Sequence, residues 1–350
     1  MRKILVTGGL GYIGSHTCIE LLKNNYKVTI LDSLINSKFE TFQKIKQVIS
    51  KENKNSLNNL DFFQGDIRDY EFLEKLFSDQ ISIDSNFDAV IHLCGLKSVE
   101  ESVKKPISYW DVNVLGTINL LKVMRKFECY NLLFSSSATV YGNVLDKPIR
   151  EDFAVIPINT YGETKATVEK ILFELQKDSN YKFKIGVLRF FNPVGAHGSG
   201  LIGELPLGKP NNIFPLILDT AYGIKDKLNI FGNDWPTDDG TAIRDYVHVM
   251  DLAESFIGIL NYLISNKPVY FNLNIGTGKG TSVLKLLKTF EKVNKVKVPY
   301  CFCERRKGDV PFLVAENSLL RSRFNIFPKR NIEIMCKDAW RWKLLNPEGY

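Results

Sequence analysis

The sequence predicts an α/β protein: a doubly wound parallel sheet with a smaller α/β lobe toward the C-terminal end. Three observations predict it. Short apolar strands alternate with amphipathic helices through the first half of the chain. The first strand runs straight into a glycine-rich turn, and the second ends in an acid. The polar residues able to do chemistry fall at the ends of predicted strands, where open α/β sheets bind their ligands.

The elements follow in order. Ile4-Leu5-Val6 is a short buried strand that meets Gly8-Gly9-Leu10-Gly11-Tyr12-Ile13-Gly14. Gly9, Gly11 and Gly14 satisfy G-x-G-x-x-G, and Gly8, Gly11 and Gly14 give the longer G-x-x-G-x-x-G spacing. Such glycines let backbone N–H groups approach a pyrophosphate at a helix N-terminus. A helix carrying Ile19, Leu21 and Leu22 comes next, then the strand Val28-Thr29-Ile30-Leu31 with Asp32 at its end. A carboxylate there accepts from both ribose hydroxyls and repels a 2′-phosphate, which points to NAD over NADP. Strand, glycine turn, helix, strand and acid together predict a Rossmann-type sheet.

The alternation continues through Leu60–Phe63 with Gly65-Asp66-Ile67, Asp88–Cys94 with Gly95-Leu96-Lys97, a helix over Trp110–Phe127, and Asn131–Phe134 with Ser135-Ser136-Ser137. The polar run 51–59 reads as an exposed loop insertion. Further on, Val269–Ile275 reads as a strand and Leu284–Val293 as a helix of the smaller lobe.

With 350 residues the chain suits two domains, or one large domain with a lobe, and 44% hydrophobic with 24% charged residues is ordinary for a soluble globular protein. The net charge of +7 is scattered, with no basic block and no aromatic-interleaved stripe, so a nucleic-acid partner is not expected. No C-x-x-C pair with a histidine partner occurs among the six cysteines, so no metal site is expected and the thiols read as reduced. The opening apolar run Ile4-Leu5-Val6 breaks at Thr7-Gly8-Gly9, unlike a signal peptide, and no apolar stretch approaches the ~20 residues of a membrane span. A cytoplasmic location without membrane contact is the expectation.

Tyr161 and Lys165 stand one helical turn apart, so both side chains leave one helix face. An ammonium beside a phenol favours the phenolate, which would suit the pair to general-base work. The spacing alone is common on exposed helix faces; the nucleotide-binding context gives it meaning.

Together these residues resemble the extended short-chain dehydrogenase/reductase superfamily, and within it the UDP-glucose 4-epimerase family. The resemblance covers essentially the whole chain: VTGGLGYIGSHT at 6–17, GDIRD at 65–69, HLCGLKSVEESVKKP at 92–106, FSSSATVYG at 134–142 and YGETK at 161–165. It continues with RFFNPVGAHGSG at 189–200, PNNIFP at 210–215, IFGNDWPTDDGTAIRDYVHVMDLA at 230–253 and RRKGDVP at 305–311. It implies an NAD-binding domain over residues 1–193 and a UDP-sugar-binding domain over 194–350, with some return of the chain to the first.

The resemblance further implies reversible epimerisation of UDP-galactose and UDP-glucose at carbon 4 through a transient 4-keto sugar. Tyr161 would be the base, Lys165 would tune it and bond the nicotinamide ribose, and Ser137 would hydrogen-bond the 4-hydroxyl. Gly8, Gly11, Tyr12, Ile13, Gly14, Asp32, Asp66, Ile67, Lys97 and Asn113, with Tyr161 and Lys165, would hold NAD. Asn192, Asn212, Phe231, Arg244, Arg306 and Asp309 match UDP-binding positions; read without the resemblance, Arg306 would be part of a solvated basic cluster with Arg305 and Lys307. Related dehydratases carry an Asp-Glu pair after the strand serine or threonine, whereas Ser137 is followed by Ala138-Thr139, which argues against dehydration. Two departures stand out. Phe190 replaces a common tyrosine, and Leu313 stands where relatives carry tyrosine or cysteine. Leu313 opens the alternative of a broader epimerase acting also on UDP-N-acetylglucosamine and UDP-N-acetylgalactosamine, with plain core packing as the other reading. A homodimer is also implied.

Overall fold

The computed structural model describes residues 1–83, 85–144, 147–178, 182–208, 210, 212–306 and 308–350. Asn211 and Lys307, both inside motifs quoted above, lie outside the described residues. The chain divides into two compact units, each assembled from three segments.

The first unit comprises Met1–Gly142, Val155–Arg189 and Glu254–Leu273. Its frame is a seven-stranded sheet built on β1 (Lys3–Thr7), β2 (Lys27–Asp32), β3 (Leu60–Gln64), β4 (Ala89–His92), β5 (Asn131–Ser137), β6 (Lys184–Phe190) and the strand Tyr270–Ile275. From one edge the order is β3-β2-β1-β4-β5-β6, followed by Tyr270–Ile275. The β1–β2, β2–β3, β1–β4 and β4–β5 ladders are parallel. Every residue of β1 is buried, as the continuous apolar run requires of a strand covered on both faces. The order reverses direction between β1 and β4, which opens a crevice at their carboxyl ends.

Two elements differ from their sequence reading. The stretch at 51–59 is not an open loop: the helix Glu40–Glu52 is followed by a 3-10 helix, Lys54–Asn59. Asn53 anchors this turn through Nδ2 to the Leu22 carbonyl at 3.3 Å, and Ser56 is buried. The helix expected over 110–127 is interrupted by a π-turn, Asp111–Leu115, between Pro106–Trp110 and Gly116–Lys126. Such bulges recur at functional sites because they re-aim a side chain, here that of Asn113.

The second unit comprises Asn143–Ala154, Phe190–Ala253 and Asn274–Tyr350. The strand Ile243–His248 pairs in parallel with Phe312–Leu313 and with Asn192–Val194, and antiparallel with Gly280–Ser282. A separate parallel ribbon joins Leu228–Phe231 to Tyr300–Cys303. Phe214, Ile217, Tyr246, Leu286, Phe290 and Trp342 form the centre of its core.

Candidate active site

The glycine turn is shaped by contact. A Cβ on Gly14 would lie 2.2 Å from the Gly8 carbonyl oxygen, and one on Gly8 would meet the Cys94 nitrogen at 2.8 Å. Gly8 also adopts φ +70°, a left-handed conformation that side chains resist. The helix Tyr12–Lys23 has Gly11 at its N-cap, no side-chain cap and no acid in its first turn. The first N–H groups of a helix have no intrahelical acceptor, so this end, with Ile13 and Gly14 in its first turn, suits an anion. This cradle fits the pyrophosphate of a dinucleotide.

Asp32 closes β2, buried, where it accepts from Leu10 N at 3.0 Å, Leu34 N at 3.0 Å and Ser37 Oγ at 2.7 Å. A carboxylate offers about four acceptor positions, so capacity remains for a ribose hydroxyl. Asp66 is pulled below the usual carboxylate range by hydrogen bonds from Arg68, whose guanidinium also reaches Asp111 at 2.6 Å. Ile67 is buried against Gly116, where an added Cβ would meet its Cγ2 at 2.5 Å. Lys97 is exposed at the end of the loop after β4.

Asn113 is buried and its amide is engaged within the fold. It accepts from Leu96 N at 2.8 Å and donates to Leu96 O at 3.0 Å and Thr164 Oγ1 at 3.1 Å. Both N–H donors are used, so Asn113 fixes the loop after β4 to the helix that bears Tyr161 and Lys165.

That helix spans Thr160–Lys177 and is capped by Asn159, whose side chain accepts from Gly162 N. Ser137 ends β5 and caps the 3-10 turn Ala138–Tyr141, accepting from Thr139 N at 3.2 Å and Thr139 Oγ1 at 3.0 Å. The Ser137 hydroxyl is the polar neighbour that draws the Tyr161 phenol back down in part. Lys165 is buried; its Nζ donates to the Ser135 carbonyl at 2.8 Å and lies 6.0 Å from the centre of the Tyr161 ring.

The electrostatics correct one expectation. A neighbouring ammonium was expected to draw the phenol down, but burial pushes Tyr161 up to about 12, offset only in part by the Ser137 hydrogen bond. Burial likewise lowers Lys165 to about 8, opposed by Cys94 and Glu169. By itself the protein near neutral pH therefore presents a neutral phenol beside a weakly held ammonium. The desolvation cost exceeds an attraction acting over several ångströms.

One feature escaped sequence reading. Glu169, on the same helix, accepts from Ser136 Oγ at 2.5 Å and from Arg189 at 3.0 and 2.6 Å, all in the interior. Its spacing of four from Lys165 was the available signal, but the Arg189 partner on β6 is invisible before folding.

In the second unit, Arg244 and Leu313 are register partners on adjacent strands. Arg244 Nη1 donates to the Ile243 and Val310 carbonyls at 2.9 and 2.8 Å. Its Nε and Nη2 make no hydrogen bond among the described residues, so that edge of the fork is available to an anion. Burial lowers its pKa and the charge of Asp309 opposes this. The Arg306 guanidinium lies 4.0 Å over the Phe231 ring, and Arg305 lies 4.0 Å over Trp235 while pairing with Asp234. The two arginines of the basic run are thus seated on aromatic faces. Asp309 is exposed in the turn that follows Arg306. Asn192 pairs in register with Tyr246, and Asn192 Oδ1 and Tyr246 Oη are both buried without a hydrogen-bond partner among the described residues. Asn212 precedes the helix Ile213–Ala221, exposed, and donates to Glu204 at 3.0 Å. Phe190 is buried, and Leu313 is half-buried.

A dinucleotide-binding crevice and a tyrosine–serine–lysine cluster at the ends of β4 and β5 define an NAD-dependent short-chain dehydrogenase/reductase. Comparison with known proteins narrows this. A family model described as GDP-mannose 4,6 dehydratase matches residues 5–339. The bifunctional UDP-glucose 4-epimerase and UDP-xylose 4-epimerase 1 of Pisum sativum is 45% identical over 350 residues, covering 100% of this chain and 97% of that one. UDP-glucose 4-epimerase of Bacillus subtilis is 44% identical, covering 99% and 98%. Among solved structures, the Bifidobacterium longum UDP-glucose 4-epimerase in complex with NAD+ and UDP superposes with a TM-score of 0.92, at 38% identity over 100% of both chains. The Stenotrophomonas maltophila UDP-glucose 4-epimerase, with bound NAD and formylated UDP-arabinopyranose, also gives 0.92, at 40% identity over 99% and 98%. The chain belongs to the UDP-glucose 4-epimerase family.

Proposed function

We propose that this protein interconverts UDP-galactose and UDP-glucose by inverting carbon 4 of the sugar with NAD held between turnovers. The observation that carries the reading is the meeting of Ser137 and Tyr161 beside Lys165, on a sheet whose glycine turn and Asp32 suit NAD. When bound, NAD supplies a hydride acceptor and donor and, in its oxidised form, a cationic ring. Tyr161 removes the proton of the sugar 4-hydroxyl, and Ser137 holds that hydroxyl and shares in the transfer. Lys165 lends positive charge to the phenolate and orients the nicotinamide ribose. The resulting 4-keto sugar presents its other face to the same residues, and Tyr161 returns the proton. Ser137 is followed by Ala138 and Thr139, so no acid stands there to expel a hydroxyl, in keeping with epimerisation rather than dehydration.

The UDP moiety is read onto the second unit. Arg244 and Arg306 suit the pyrophosphate through planar, bidentate donors. Asp309 suits ribose hydroxyls, and Asn192, Asn212 and Phe231 complete the set, with Leu313 toward the sugar. Lys97, Asp66, Ile67 and Asn113 are assigned to the cofactor side, Asn113 through the loop it fixes. The reading extends to a homodimer in the cytoplasm, supported by the family resemblance; among the described residues no helix is long and apolar enough to cross a membrane.

The test is a single assay. Purified protein given UDP-galactose without added NAD is expected to form UDP-glucose with no net NADH. Stoichiometric NADH accumulation, or no turnover even with NAD supplied, would overturn the reading.

A further inference from the structure

We propose that Glu169 is a positioning residue for the reaction: with Arg189 it forms a buried ionic brace that holds Lys165 and Ser137 in working relation to Tyr161. The proposal rests on the reading given under Proposed function.

Glu169 lies two turns beyond Tyr161 and one beyond Lys165, on the same helix face. It is 5% exposed and Arg189 is 2% exposed. The carboxylate accepts from Ser136 Oγ at 2.5 Å, Arg189 Nε at 3.0 Å and Arg189 Nη2 at 2.6 Å. Arg189 Nη1 donates to Tyr141 Oη at 2.8 Å, and its guanidinium lies 4.8 Å over the same ring. Tyr270 Oη donates to the Glu169 carbonyl at 3.3 Å.

Each partner adjoins one piece of the machinery. Ser136 immediately precedes Ser137 on β5. Tyr141 ends the 3-10 turn that Ser137 caps. Glu169 follows Lys165 by one turn. The brace therefore joins β5, β6 and the Tyr161 helix behind the reacting groups. A buried ion pair contributes little net stability against a well-packed apolar pair, because both charges must be desolvated. Geometry at the site is a better account of why one is placed here.

The pair also sets charge. The groups facing Lys165 are His92 and Cys94 at the end of β4, the Ser135 carbonyl and Phe134 ring on β5, and Tyr161 and Glu169 on its own helix. Burial and Lys165 hold His92 at about 3, so its ring is neutral, and burial holds the Cys94 thiol at about 12. The Glu169 carboxylate favours the Lys165 ammonium.

The test measures pH profiles of UDP-galactose turnover on NAD-loaded holoenzyme. It compares wild type, Glu169→Gln, the double variant Glu169→Gln/Arg189→Met, and Ser136→Ala. The double variant removes both charges together and leaves no guanidinium buried alone. Both Glu169 variants are expected to lose at least about tenfold in kcat, as a small misplacement of reacting groups does. KM for UDP-galactose should stay within about twofold, since only the positioning of reacting groups is disturbed. The alkaline limb of Glu169→Gln should move down by about one pH unit, because Lys165 loses its anion while Arg189 keeps its charge. Ser136→Ala, which keeps the charges, should lower kcat a few-fold without moving the limb. A double variant with wild-type kcat overturns the proposal, and so does a kcat loss with an unmoved limb in Glu169→Gln, which a merely structural brace predicts. If both Glu169 variants fail to retain NAD, unchanged kcat in Ser136→Ala overturns it. An inactive wild type would count against the epimerase reading instead.

Discussion

Lys165 Nζ stands 6.0 Å from the centre of the Tyr161 ring, and its hydrogen bond goes to the Ser135 carbonyl at 2.8 Å rather than to the phenol. The ammonium is thus committed to the backbone of β5, while Ser137 is the neighbour that offsets the burial of the phenol in part. In the protein alone burial dominates, and Tyr161 stays protonated at neutral pH with its pKa pushed up to about 12. Bound NAD, held by the glycine turn and Asp32, would add positive charge in its oxidised form, and a positive charge near Tyr161 would lower its pKa.

Replacing Tyr161 with Phe removes the proton acceptor while keeping the ring. Turnover of UDP-galactose should fall by about 10³-fold or more, the upper range for a general base. NAD should remain bound, since the glycine turn and Asp32 are untouched. Steady-state rates and the NAD released on heat denaturation check both parts; near-normal activity would refute the assigned role.

Replacing Lys165 with Met should make the NAD-depleted protein more stable at neutral pH while abolishing turnover. The sign follows from linkage. The folded pKa of about 8 lies below the ordinary value of 10.5, so between those values the unfolded chain binds the proton and the folded one does not. Wild-type stability therefore rises with pH across that window, and below it the buried ammonium costs roughly 3 kcal/mol at most. Tyr161 adds the opposite trend above pH 10, because its folded pKa is raised. Urea unfolding of both proteins at pH 7 and 10 should show the variant's advantage shrinking at the higher pH.

Much of this site was legible because its signals are local. The glycines at 8, 11 and 14, Asp32 at a strand end and the one-turn spacing of Tyr161 and Lys165 each need only a few neighbouring residues to be read. What was not legible depends on packing between distant segments. Glu169 and Arg189 pair across twenty residues and two elements. The π-turn at 111–115 that aims Asn113 has no periodic signature. The interleaving of 143–154 into the second unit and 254–273 into the first cannot be seen in composition. The direction of the Tyr161 shift was misread for the same reason: spacing reveals a neighbouring charge, whereas burial emerges only from the fold.

Gly14→Ala places a methyl 2.2 Å from the Gly8 carbonyl oxygen, a backbone atom with little room to yield. The turn must open, which displaces the N–H groups that would face the pyrophosphate. We expect loss of copurifying NAD and a destabilisation of at least about 2 kcal/mol, in the range for overpacking. The ultraviolet spectrum of the purified protein and its thermal midpoint report the two effects. A variant that keeps stoichiometric NAD would show that the glycine spacing is incidental.

Arg306 rests on Phe231 at 4.0 Å, so the aromatic ring presets an exposed guanidinium that would otherwise sample many rotamers. Phe231→Ala should therefore act in the same direction as Arg306→Ala, raising KM for UDP-galactose by about tenfold with little change in kcat, because only binding of a non-reacting group is lost. The two effects should not add in the double variant, since each removes the same interaction. An exposed cation meeting a pyrophosphate is also screened by salt, so KM should climb with ionic strength in the wild type and less steeply in Arg306→Ala. Additive losses, or equal salt dependence in the two proteins, would place the arginine outside the binding site.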